Sequence, residues 1–164
     1  MSAVGVTPAK ERLLRELLEQ IAARLPADRV DLVSTFARAY ARRFPAAEAE
    51  ELSGEELFGQ VMGVFELAEA RGHGSIAVRA FTPTLAGEGY TSVGSIVETN
   101  TPDSPFLVDS VSEELAAHGL SVRLVLHPVV GIERDEQGRI AAVKPAKDAT
   151  AAESVMHFEV DRRL

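Results

Sequence analysis

Through the first 72 residues apolar side chains recur at three- and four-residue spacing, and from residue 75 onward they alternate. In TPAKERLLRELLEQIAARLP, Leu14, Leu17, Leu18, Ile21 and Leu25 fall on one helical face. Thr7 is placed to cap that helix, Pro8 suits its first position, and Pro26 marks its exit. A second stripe follows in Val30, Val33, Phe36, Ala37, Tyr40 and Phe44, with Arg42 and Arg43 favouring the helix dipole in the last turn. Ser53 and Glu56 have capping-box spacing, and Leu57, Phe58, Val61, Val64, Phe65 and Ala68 form the face of a further helix. That helix is expected to end at RGHG, where glycine takes up positive φ.

Alternation then predicts a hairpin of SIAVRAFTP with VGSIVETN across the turn LAGEGY. NTPDSPFLVDSVSEELAAHGLSV, residues 100–122, reads as a strand end, a loop, a helix and a new strand. Asp103 or Ser104 is expected to cap the helix, with Pro105 at its first position and Gly119 at its exit. Leu107, Val108, Val111, Leu115 and Ala116 would be its buried stripe. The flanking strands of such a unit run parallel and cross over right-handed. LSVRLVLHPVV reads as one apolar strand, RDEQGR as a turn and IAAVKP as a weak strand. AKDATAAE reads as a loop, and ESVMHFEVD closes the chain as an alternating strand. The predicted class is α+β: a helical segment over 1–72 packed on a mixed sheet over 73–164.

Composition narrows the function classes. With no cysteine, disulfides, thiolate nucleophiles and thiolate zinc sites are excluded. The net charge of −8 is shared by both halves, and no basic stripe interleaved with aromatics occurs, so no nucleic-acid partner is expected. Neither a signal peptide nor an apolar run of membrane-spanning length is read, and a cytoplasmic location is expected. His73, His118, His127 and His157 form no metal-binding spacing, so no metal site is expected. A Ser–His–Asp set can be composed from Asp109, Ser110 and His127 or His157, but no nucleophile-elbow context surrounds it.

The Asp-x-Pro loop, the apolar helix after it, HGL and an apolar strand resemble the first half of an ACT domain, the small βαββαβ amino-acid-sensing module. A more specific resemblance covers residues 28–161. FTPT, the run Pro105-Phe106-Leu107-Val108-Asp109-Ser110-Val111, His127-Pro128 and RDEQG occur in the order seen in the N-terminal region of large bacterial NAD-specific glutamate dehydrogenases. The resemblance implies a non-catalytic regulatory domain with no cofactor of its own. It implies a parent enzyme that uses NAD to deaminate L-glutamate to 2-oxoglutarate and ammonia. The remainder of that parent, a second copy of the chain and an amino-acid effector are the implied partners. The ACT pattern ends before its second helix and last strand, so the unit is expected to be incomplete and the chain a piece of a longer protein.

The implied effector site comprises Asp103, Ser104, Pro105, Phe106, Leu107 and Asp109, with Asp109 positioning the helix start. ACT domains that bind amino acids usually have glycine after Asp-x-Pro; Phe106 stands there, which implies packing. Two further readings are a purely architectural assembly module and a small stand-alone enzyme, for which no catalytic constellation is found.

Overall fold

The computed structural model describes residues 6–164; the first five residues of the helical segment expected over 1–72 lie outside it. Helix α1 (Pro8–Arg24) begins where Thr7 accepts the Lys10 N–H at 3.3 Å. Its buried face is Leu13, Leu17 and Ile21; of the expected stripe Leu17 and Ile21 are buried, Leu18 and Leu25 pack at the edge of the core, and Leu13 takes the place of Leu14. Helix α2 (Ala27–Arg42) buries Val33, Phe36, Ala37, Tyr40 and Ala41. A short helix α3 (Ala46–Glu51), absent from the sequence reading, carries one buried side chain, Ala49. Helix α4 (Gly54–Arg71) opens on the complete Ser53–Glu56 capping box and buries its whole expected stripe. Its exit uses Gly72 at φ 56°, whereas Gly74 needs no positive φ.

Among the described residues six strands form one sheet, in which every ladder is antiparallel. They are β1 (Ala77–Phe81), β2 (Ile96–Pro102), β3 (Val122–Leu126), β4 (Val129–Arg134), β5 (Ile140–Pro145) and β6 (Ala152–Val160). Helix α5 (Leu107–Ala117) joins β2 to β3, and a 3₁₀ turn at Ala146–Asp148 precedes β6. The expected hairpin exists, with Ala77↔Asn100 through Phe81↔Ile96 in register. β2 and β3 do run parallel, but β6 lies between them and pairs with both, so the sheet is not mixed at any ladder. This is a split β-α-β arrangement. The edge beside β2 is occupied by β1, which precedes the unit in sequence.

The expected long strand across His127-Pro128 is two strands. β3 pairs with Val160 to His157 and β4 with Ser154 to Ala152, along the same edge of β6. Proline has no N–H to donate, so the ladder breaks there. The Pro128 carbonyl instead accepts from Val155 N at 3.0 Å, which holds the two pieces in line.

Alternation along β6 divides the interior. Val155 faces the helical layer with Leu126, Ile132 and Phe65, while Met156, Phe158 and Val160 face α5 with Val97 and Leu115. Helix α5 starts later than expected, at Leu107, and no side chain caps it. Its N-cap is Phe106, at φ 66° and ψ 16°, the sole non-glycine positive φ among the described residues. Of its expected stripe, Leu115 is buried, Leu107, Val108 and Val111 are partly buried, and Ala116 is exposed. Gly119 ends it at φ 74°, as expected.

Candidate functional site

Asp103, expected as a helix cap, is drawn sideways onto β6. Its backbone N–H donates to the Ala152 carbonyl at 3.0 Å, and its Oδ1 accepts from Ser154 Oγ at 2.7 Å. Ser154 Oγ also lies 2.9 Å from His127 Nε2. A hydroxyl that donates its one hydrogen to Asp103 must accept from the imidazole, so Nε2 carries a proton. The chain of donors runs His127 to Ser154 to Asp103, and the histidine therefore cannot serve as a base toward this serine. Asp109 and Ser110, the other members of the composed triad, are exposed and make no side-chain hydrogen bond among the described residues. Asp109 positions no side chain at the helix start; it lies in the first turn, where its charge suits the dipole.

Burial holds the His127 imidazole below its ordinary value, with Asp103 opposing the shift and Arg43 adding to it. The folded state thus holds less of this proton than the unfolded chain. The site's contribution is full above the ordinary imidazole value of about 6.5 and is lost as pH falls through the lowered folded value. Replacing His127 with Asn is expected to flatten part of the fall in Tm from neutral pH to about pH 5. Equal slopes for both proteins would show that the shift does not exist.

The remaining predicted site residues are separated by exposure. Ser104, Pro105 and Phe106 face solvent, and Leu107, the first residue of α5, is partly buried against the smaller core. Phe106 is 76% exposed, so the packing role implied for it is not met among the described residues. The loop therefore presents an aromatic side chain and an uncapped helix start together. The backbone N–H groups of such a start have no intrahelical acceptor.

A second polar assembly lies on the other face of the sheet, between β2, β6 and the helices. Glu98 is fully buried; it accepts from Arg79 Nε at 2.7 Å and from His157 Nδ1 at 2.9 Å. The His157 ring meets the Tyr40 ring edge-on, with centroids 6.5 Å apart, and Gln60 Nε2 donates to Tyr40 Oη at 2.5 Å. Burial first, and the nearby Glu98 second, push the phenols of Tyr40 and Tyr90 up, so both stay neutral donors. Above this floor opens a cleft of about 520 Å³ lined by α3, α4, β3, β6 and residues 90–93. His127 and His157, neighbours in the sheet, thus point to opposite faces and form no shared site. The signal for this assembly was a glutamate in the middle of the apolar strand SIVETN, facing a histidine at an inward position of β6.

Near the end of α4 a third group joins helices to sheet. Glu153 accepts from Arg134 Nη2 at 2.8 Å and Asn100 Nδ2 at 3.1 Å, and lies 3.2 Å from Arg71 Nη2. No cluster of three or more metal-ligating side chains exists among the described residues. None of the described helices is long and apolar enough to cross a membrane.

A split β-α-β unit with an Asp-x-Pro loop before its helix, backed by a helical layer, defines an ACT-like α+β domain. Residues 36–164 match the family described as "Glutamate dehydrogenase, ACT1 domain", and the chain belongs to that family. It is similar to the NAD-specific glutamate dehydrogenase of Halomonas elongata, 28% identical over 165 residues. That match covers 99% of this chain and 10% of the relative. The NAD-specific glutamate dehydrogenase of Pseudomonas aeruginosa is 30% identical over 134 residues, covering 79% of this chain and 8% of the relative. The chain thus spans at most a tenth of the length of these relatives. No solved structure matches it.

Proposed function

We propose that this chain is a regulatory domain of an NAD-dependent glutamate dehydrogenase, whose NAD site and glutamate chemistry reside on other parts of a longer cytoplasmic protein. Membership of the ACT1 family is the observation that carries the reading. An effector would act by binding one arrangement of the domain better than another, shifting the parent's equilibrium by that difference in affinity. The loop at Asp103, Ser104, Pro105, Phe106 and Leu107 offers a free amino acid the uncapped N–H groups of α5. The test is glutamate-dependent NAD reduction by the full-length protein across a panel of free amino acids. At least one should change the rate, and Asp103→Ala should abolish that response. A rate indifferent to every amino acid sinks the effector reading.

An architectural role is favoured by a different observation: Phe106, Ile76 and Val78 are 76%, 57% and 55% exposed. The partner would be a second copy or the rest of the parent chain. A non-glycine residue in the left-handed region costs about 1–2 kcal/mol, and an exposed Phe106 recovers little of it within the chain. Phe106→Gly is therefore expected to raise the stability of the chain by about 1 kcal/mol while weakening its self-association. Chemical denaturation and sedimentation velocity check the two halves. A destabilised variant that associates as before would show that Phe106 packs internally after all.

A further inference from the structure

The cleft beside His157 has the makings of a ligand site on the sheet face opposite α5. Glu98, engaged by Arg79, can only accept, so the proton between it and His157 belongs to Nδ1. In the neutral ring Nε2 is then the acceptor, on the edge away from Glu98, in a side chain 2% exposed and with no hydrogen bond among the described residues. Gln60, which also lines the cleft, donates one amide hydrogen to Tyr40, and its carbonyl oxygen makes no hydrogen bond among the described residues. The hydroxyls of Tyr90 and Ser92, on the same lining, are buried and have no partner among the described residues. Buried polar groups are nearly always satisfied, so the open Tyr90 and Ser92 hydroxyls, set beside acceptors that face the cleft, mark a place built for a polar guest.

We propose that this cleft binds a small zwitterion, with its primary ammonium inward on His157 Nε2 and Gln60 and its carboxylate outward on Arg163. Two acceptors at the floor call for a donor-rich head, and an ammonium brings three N–H donors and no acceptor. At the mouth, the exposed Arg163 has no ion-pair partner among the described residues, whereas Arg123 is already held by Glu159. Glu48 and Glu51 on the same mouth oppose a ligand carrying only negative charge. Phe44, Ile96 and Leu124 supply apolar wall for the ligand's remaining atoms. A volume of about 520 Å³ lies within the range of small-molecule pockets. This site is separate from the loop before α5 and does not depend on it.

The test is NMR titration of the 164-residue chain, following the His157 ring signals, with the common L-amino acids as probes. Acetate, n-butylamine and glycine betaine serve as comparisons, each lacking part of the zwitterion or its N–H donors. At least one amino acid should shift the His157 signals saturably at millimolar concentration, and the three comparison compounds should not. Arg163→Ala, an exposed change that leaves the fold intact, should weaken that binding about tenfold, the scale of one charge-assisted contact. Gln60→Leu should weaken it too, and Asp103→Ala should leave it unchanged. The proposal is overturned by His157 signals that no amino acid moves. It is equally overturned by a response that Arg163→Ala leaves intact, or one that acetate or betaine reproduces. Binding abolished by Asp103→Ala with His157 unmoved would place the ligand at the loop and sink this site alone.

Discussion

Glu153→Ala is expected to destabilise the protein by about 3–5 kcal/mol, the cost of leaving buried charge uncompensated. Two guanidinium side chains, Arg71 and Arg134, are 6% and 7% exposed, and one carboxylate serves both. Arg134 has other acceptors in Gly138 O and Asn100 Oδ1, but Arg71 has none among the described residues, where its Nε and Nη1 are buried without a partner. Burial accordingly lowers Arg71 from its ordinary value, Glu153 opposing and Arg134 adding. The cluster therefore holds a surplus of positive charge, and its members are not equivalent. Arg71→Met, which removes the surplus, is expected to cost less than about 1 kcal/mol, since apolar replacement of a buried ion often is near neutral. Urea denaturation of the two variants measures the asymmetry. Equal losses would mean that Arg71 is a supporting member of the cluster rather than its uncompensated one.

The same cluster shows what a sequence conceals. Arg71, Asn100, Arg134 and Glu153 come from α4, β2, β4 and β6, and nothing local marks them as partners. The class of fold was legible because period 3.6 gives way to period 2, and the two faces of β6 were legible because both alternate cleanly. The doubled leucines of α1 were not decisive: Leu13-Leu14 and Leu17-Leu18 offer two adjacent stripes, and packing on α4 selects the first of each pair. Helix α3 has no apolar stripe to betray it. The start of α5 carried correct capping chemistry in Asp103 and Ser104, but a tertiary bond to Ser154, 51 residues away, overrode it. The loop was thus found and its geometry missed. The cleft at His157 was missed because its parts lie in five separate segments, although the buried Glu98 was a visible anomaly.

Phe65→Ala is expected to cost about 3–5 kcal/mol, which is a large part of the 5–15 kcal/mol that holds a domain of this size folded. Phe65 is fully buried, meets Phe36 edge-on at 5.4 Å between centroids, and carries the Arg29 guanidinium 5.3 Å above its ring. It belongs to the large core in which α1, α2 and α4 close over Leu126, Ile132 and Val155, so neighbours on all sides are fixed by other elements. Little collapse can fill the cavity. Phe158, also fully buried, offers the comparison, because it lies on the opposite face under α5 alone. Three of that helix's contacts, Leu107, Val108 and Val111, are only partly buried. A single helix so seated can settle toward a smaller side chain, so Phe158→Ala should cost less globally and speed hydrogen exchange selectively in α5. Such local opening would move the Asp103–Phe106 loop with the helix, and supply the second arrangement that the proposed regulatory role needs. If Phe65→Ala costs under about 1.5 kcal/mol, or Phe158→Ala loosens the whole chain uniformly, the two cores are not independent as drawn.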